Sequence, residues 1–251
     1  MTTPLLYALR KIDDDNMLKN VFRILLEHGA DTEIKTCSGT ILHHACVADR
    51  EKIVDYIINT CPNVDIEARD NYGYTPLIFA VDSCNVEMVK ILIEAGANLD
   101  ASDTSGRTAL IHSVEYDFGC DVVEVLLEAG ADTELKNKYG ETALMVATMG
   151  CGPKIIQKLL DFGADVNACD NNGWTALFHA SMFTCKEVVK QLLEAGAEIN
   201  AKNICGKTPL IVVTEGGFDD VAKCLLENGA DPDIRDNNGK CALDYKRRKR
   251  Q

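Results

Sequence analysis

Apolar residues along this chain fall into short paired runs with helical spacing. The run from Asn171 to Lys202 shows the pattern. Leu177, Ala180 and Ser181 fall on one helical face, and Val188, Val189, Leu192 and Leu193 fall on the face of a second helix. Thr175 stands where a first helix begins, and its hydroxyl is expected to accept a bond from an unpaired backbone N–H. Gly173 is expected in the turn before it. Gly196 closes the second helix, since glycine enters the left-handed region without a Cβ clash.

The same unit recurs along the chain. Turn glycines stand at 39, 73, 106, 140, 173, 206 and 239, so successive spacings are 34, 33, 34, 33, 33 and 33 residues. Helix-ending glycines stand at 29, 96, 130, 163, 196 and 229. Asn63 fills that place once, as the next best residue for a left-handed position. A fixed period of about 33 residues with two helices and a turn marks a helical solenoid. The segments TPLIFAV (75–81), TALIHSV (108–114), TALMVAT (142–148), TALFHAS (175–181) and TPLIVVT (208–214), with LLEAGAD (126–132) and its copies, resemble the ankyrin repeat family. The resemblance spans nearly the whole chain. It implies an all-α solenoid of stacked helix-turn-helix units with projecting hairpin-like turns. It implies no chemistry, because the family shares an architecture.

One repeat domain is expected over 1–251, with repeats at about 1–35, 36–69, 70–102, 103–136, 137–169, 170–202 and 203–235 and a cap at 236–251. Repeat one has about five extra residues, placed between its helices around Asp13-Asp14-Asp15. Repeat two lacks one turn residue, and its second helix ends late, near Asn63. Repeat four has one extra residue near Asp117 to Gly119. A short helix over Lys240 to Tyr245 is expected to close the array.

The net charge of −13 argues against non-specific binding to nucleic acid or anionic membrane. No apolar run approaches the roughly 20 residues needed to span a bilayer, and the N-terminus does not read as a signal peptide. The 11 cysteines contain no C-x-x-C pair and scatter over repeat positions, among them Cys46, Cys61, Cys84, Cys151, Cys169, Cys224 and Cys241. They read as small buried apolar residues of a reducing compartment, and neither disulfides nor a metal site is expected. The expected location is cytoplasmic, with a nuclear share if the basic run Lys246, Arg247, Arg248, Lys249 and Arg250 acts as an import signal. The plainer reading of that run is a solvated helix end.

No catalytic constellation stands out, so an enzyme is not expected and no cofactor is implied. His43 and His44 are adjacent, so on a helix they point about 100° apart and do not share a metal. The resemblance implies that His43 bonds backbone of the neighbouring turn, whereas His112 and His179 sit one position later in their repeats and read as surface residues between helices. Gly150-Cys151-Gly152-Pro153 does not match a phosphate-binding loop and reads as a turn. Asn167 and Asn200 follow acidic-aliphatic pairs and resemble the ankyrin pattern taken by asparaginyl hydroxylases. The alternative is a turn asparagine that bonds local backbone.

The resemblance further implies a binding face made of turn tips and first helices. Its positions carry Tyr72, Tyr74, Arg107, Tyr116, Tyr139, Trp174, Met182, Phe183 and Lys207. Tyrosine and tryptophan are the usual anchor types at interfaces, so a wet aromatic strip on this face is the expected partner site. Packing of these rings on one another is the competing reading. The expected function is a monomeric, non-catalytic adaptor that binds another protein, or a regulatory inhibitor that masks a partner enzyme or transcription factor.

Overall fold

The computed structural model describes residues 3–61, 63–115, 120–150 and 152–246. The helices come in pairs: α1 (Pro4–Lys11) and α2 (Asp15–Glu27), α3 (Ile41–Val47) and α4 (Glu51–Thr60), α5 (Pro76–Asp82) and α6 (Val86–Glu94), α7 (Ala109–Ser113) and α8 (Cys120–Glu128). They continue as α9 (Ala143–Met149) and α10 (Pro153–Asp161), α11 (Ala176–Met182) and α12 (Lys186–Glu194), α13 (Pro209–Gly216) and α14 (Asp219–Glu227), and end in α15 (Ala242–Lys246). Among the described residues the only bridges are isolated ones, such as Ser102 with Thr108.

Two compact units carry these pairs. The first covers Met1–Ser113 and Asp121–Asp132, and the second covers Val114–Cys120 and Thr133–Gln251. Within the first, α5 packs on α6, α3 and α7; within the second, α11 packs on α12, α9 and α13. Each contact joins a helix to its partner or to the next repeat. Helices of seven to nine residues are too short to persist alone, so burial of their apolar faces on neighbours holds them. Leu42, Leu77, Leu177 and Leu210 are almost fully buried, as are Val89, Leu92, Val189 and Leu192 on the second helices.

Threonine caps start most first helices. Thr3, Thr75, Thr142 and Thr208 accept the amides of Leu6, Ile78, Met145 and Ile211. Thr175 does not make the expected cap bond and holds α11 only through its extended backbone, φ −92° and ψ 171°. The tip glycines are left-handed for a physical reason beyond the turn. A Cβ on Gly140 would lie 2.6 Å from the Asn171 amide nitrogen, and one on Gly173 would lie 3.1 Å from that of Ile204. The tips lie this close because they are stitched by backbone. The Thr104 N–H donates to the Tyr72 carbonyl (2.9 Å), Asn171 to Tyr139 (3.0 Å), Ile204 to Asn172 (3.0 Å) and Asn237 to Cys205 (3.1 Å).

Several expectations need correction. The extra residues of repeat one do not form a longer loop. Only Ile12 to Asp14 separate α1 from α2, and α2 itself is 13 residues long. Asp14 caps α2 by accepting the Met17 amide, and Arg50 holds the link by donating to the Ile12 carbonyl and the Asp15 carboxylate, each at 2.8 Å. Helix α4 ends at Thr60 with extended Cys61 as its cap, so Asn63 lies one residue past the place the glycines fill elsewhere. The cysteines divide: Cys46, Cys61, Cys224 and Cys241 are buried, but Cys37, Cys84, Cys169 and Cys205 are exposed. Cys84 follows α5 in a turn, with φ 53°. Those eight and the half-buried Cys185 are free thiols. The irregular stretch near Asp117 to Gly119 lies outside the described residues.

Candidate functional site

The tips and first helices carry the side chains singled out by the sequence, and each unit presents its own group. In the first unit Tyr72 is 68% exposed, whereas Tyr74 is half-buried. Tyr74 packs edge-on against Tyr72 (6.4 Å), Phe79 (5.4 Å) and His112 (5.1 Å). Its hydroxyl accepts from Arg107 Nη2 at 2.9 Å. Arg107 also reaches Asp103 Oδ2, from Nε at 3.0 Å and from Nη2 at 2.9 Å. Burial penalises the Asp103 carboxylate, but the Arg107 amide and guanidinium and the Ser105 amide outweigh it and lower its pKa. Burial raises the Tyr74 pKa, with Arg107 opposing it.

His43 does what the resemblance implied. Nε2–H donates to the Tyr74 carbonyl at 3.0 Å, which leaves Nδ1 to accept the Thr40 amide at 3.1 Å. Burial lowers its pKa, against the pull of the Tyr74 carbonyl and Asp70. His112 and His179 are not surface residues: they are 3% and 7% exposed. His112 lies between Asp82 Oδ1 (3.1 Å) and Asp103 Oδ2 (3.3 Å). Burial also lowers the His179 pKa, with Asp170 and Glu141 pulling it back.

In the second unit Tyr139 is 59% exposed, with Lys138 Nζ 5.0 Å from its ring centre. Trp174 is half-buried rather than wet. Its ring stacks on Phe178 at 5.5 Å and tilts over His179 at 5.6 Å. Met182 is half-buried and Phe183, the cap of α11, is exposed. Lys207 is tied down: Nζ pairs with Glu215 and sits 4.8 Å from the Tyr245 ring centre. Burial works against its charge, but Glu215 and Tyr245 raise its pKa overall. Trp174, Met182, Lys207 and Glu215 line an open hollow of about 490 Å³ whose rim carries Ile204, 66% exposed. Ile204 stands two residues before a tip glycine, a position that predicts an exposed tip, but its residue type did not mark it as an anchor and the hollow left no trace in the sequence.

The expected aromatic strip is therefore a group in each unit, half of it packed and half of it open. Tyr116 lies outside the described residues. So do Arg247, Arg248, Lys249 and Arg250; Lys246 ends α15 and faces Asp219 at 3.4 Å. Asn167 and Asn200 serve as acceptors for the next repeat. Asn167 Oδ1 takes the Glu198 amide (2.8 Å) and Asn200 Oδ1 takes the Asp231 amide (3.0 Å). Glu67, Asp100 and Glu134 do the same at their own positions, for Asn98, Asp132 and Asp165. This ladder was hidden in the sequence because its acceptors differ in type and its partners lie 31 or 32 residues away.

No helix among the described residues is long and apolar enough to cross a membrane. A family model for ankyrin repeats in three copies matches residues 61–137 and 110–203, and a single ankyrin repeat model matches 205–237. The chain is 36% identical over 102 residues to the mouse B-cell lymphoma 3 protein homolog and 35% identical over 83 residues to the human transient receptor potential cation channel subfamily A member 1. Those matches cover 39% and 33% of this chain, and only 23% and 7% of the two relatives. Among solved structures it is similar to the ankyrin repeat domain of Bcl-3, described as a unique member of the IkappaB protein family. The TM-score is 0.76 and the identity 29%, over 81% of this chain and 92% of that one.

Proposed function

Because this chain belongs to the ankyrin-repeat family, whose repeats mediate protein–protein interaction, we propose that it is a non-catalytic module that holds a partner protein on its tips and first helices. One observation carries the reading. Backbone atoms join neighbouring tips, so Tyr72, Tyr139 and Ile204 stand largely exposed at 68%, 59% and 66%. Large apolar side chains held in water by a rigid scaffold are suited to anchoring a partner. In the first unit the half-buried Tyr74 and Arg107 support Tyr72, and in the second Trp174, Met182 and Lys207 line the hollow beside Ile204. The net charge of −13 favours a protein partner over nucleic acid.

A second reading, a regulatory inhibitor that masks a partner's surface, is favoured by the likeness to Bcl-3 of the IkappaB family. The test is capture of a partner by the intact chain, followed by Tyr139→Ala and Ile204→Ala. Each should weaken binding by about 1–3 kcal/mol with an unchanged circular dichroism spectrum. Unchanged affinity in both would remove the tips from the site. Loss of the partner's own activity on binding would select the inhibitor over the adaptor.

A further inference from the structure

Two repeats place the same pair of residues at the base of a tip and supply different surroundings. Asp103 and Asp170 open their tips, and His112 and His179 follow nine residues later. In the first unit a guanidinium neutralises the pair, since Arg107 binds Asp103 Oδ2 while His112 sits between two carboxylates. In the second unit the residue after the tip glycine is Trp174 where the first has Arg107, and Glu141 where the first has Tyr74. A fixed cation has given way to an indole, and a phenol to a second carboxylate.

What remains is a small acidic group around a buried imidazole. His179 and Asp170 side chains are 9% and 5% exposed. His179 Nε2 is buried with no hydrogen-bond partner, and lies 3.6 Å from Asp170 Oδ2. The other oxygen, Oδ1, accepts the amides of Asn172 (2.7 Å) and Trp174 (2.8 Å), which fixes the carboxylate's direction. Glu141 completes the group, with one ligand atom from each residue and all three within 4.8 Å of one another.

We propose that Glu141, Asp170 and His179 bind a divalent transition-metal ion of the zinc class. One imidazole nitrogen and two carboxylate oxygens match the donors such an ion takes, and ligand atoms at about 2.0–2.2 Å from one ion lie roughly 3–4 Å apart. The ion supplies the positive charge that Arg107 supplies in the first unit, and satisfies the orphaned Nε2. It also clips the tip of repeat five, through Glu141, to the tip and first helix of repeat six.

The test uses metal-free full-length protein titrated with Co²⁺, followed by Zn²⁺. The chain's one tryptophan reports this place, because the Trp174 ring lies 5.6 Å from the His179 ring and Co²⁺ quenches nearby indole emission. Quenching should saturate at one equivalent, Zn²⁺ should restore the emission, and Zn²⁺ should raise the melting temperature. Glu141→Gln and His179→Gln should each move the Co²⁺ midpoint up by roughly tenfold or more. If His179→Gln does not fold, the half-exposed Glu141→Gln decides alone. No saturable quenching in the parent protein overturns the site. A parental midpoint in Glu141→Gln does the same, and assigns the binding to cysteines elsewhere.

Discussion

At the scale of single residues, the glycines separate two effects that sequence cannot tell apart. Gly163 and Gly140 both have positive φ, 86° and 82°. A Cβ on Gly163 meets nothing within 4 Å, so Gly163→Ala should cost only backbone strain, about 1 kcal/mol. A Cβ on Gly140 would press on the Asn171 amide nitrogen at 2.6 Å and break the stitch it donates. Gly140→Ala should therefore cost at least about 2 kcal/mol by urea unfolding. Equal costs for the two would mean that tip contact contributes nothing. Trp174 was expected in water from its position after a tip glycine. Its stack on Phe178 changes that: emission should fall between the buried and fully hydrated limits, and Trp174→Ala should cost about 1–3 kcal/mol of stability. A loss below about 0.5 kcal/mol with fully red-shifted emission would show the ring free of Phe178 in solution.

At the scale of elements, the helix pairs were legible because their period is written into leucines, glycines and threonines at fixed spacing. Less legible were interactions that leave no local trace. Thr175 opens the same Thr-Ala-Leu run as Thr142 and stands two residues after a tip glycine like Thr208, yet makes no cap bond. Thr208→Ala should thus cost about 1 kcal/mol and Thr175→Ala clearly less, measured by thermal melting. Leu177→Ala, which empties the buried face of the same helix as Thr175, should cost about 2–5 kcal/mol. A cap loss at Thr175 as large as that at Thr208 would contradict the geometry. The turn between paired helices was also opaque. Asp49, Cys84 and Thr184 are left-handed there at φ 54°, 53° and 60°, and among the described residues only Gly217 is a glycine at that place. The acidic group around His179 was unreadable for a related reason: Glu141, Asp170 and His179 form no motif in one dimension, and the spatial meeting of adjacent tips defines it.

At the scale of the whole molecule, the short helix α15 is held to the tip before it by one buried carboxylate. Tyr245 donates its hydroxyl to Asp236 Oδ2, and the Asn238 and Lys240 amides reach Asp236 Oδ1 at 2.9 and 3.0 Å. Burial disfavours the charged Asp236, but the Tyr245 hydroxyl and these amides prevail and bring its pKa down to about 2. A depressed carboxylate stabilises the fold above its unfolded pKa, and that stability is lost as the pH falls. The loss should run from about pH 4 down to about pH 2. Tyr245→Phe removes the main donor, so it should lower stability at pH 7 by about 1–3 kcal/mol and flatten this acid limb. An acid limb identical to that of the parent protein would place the proton uptake elsewhere.

The stitching of tips through main-chain amides and carbonyls has a consequence for how such a chain changes over generations. The amide and carbonyl groups that join Tyr72 to Thr104 and Tyr139 to Asn171 are present whatever side chains those positions carry. Cohesion and recognition are thereby written in separate alphabets. Substitutions at 72, 139, 172 and 205 should leave those backbone bonds in place, whereas a side chain at Gly140 or Gly173 would press on the next tip. A lineage can exchange one partner for another by rewriting those few letters, and a combinatorial library varied at the same four positions would inherit the same tolerance.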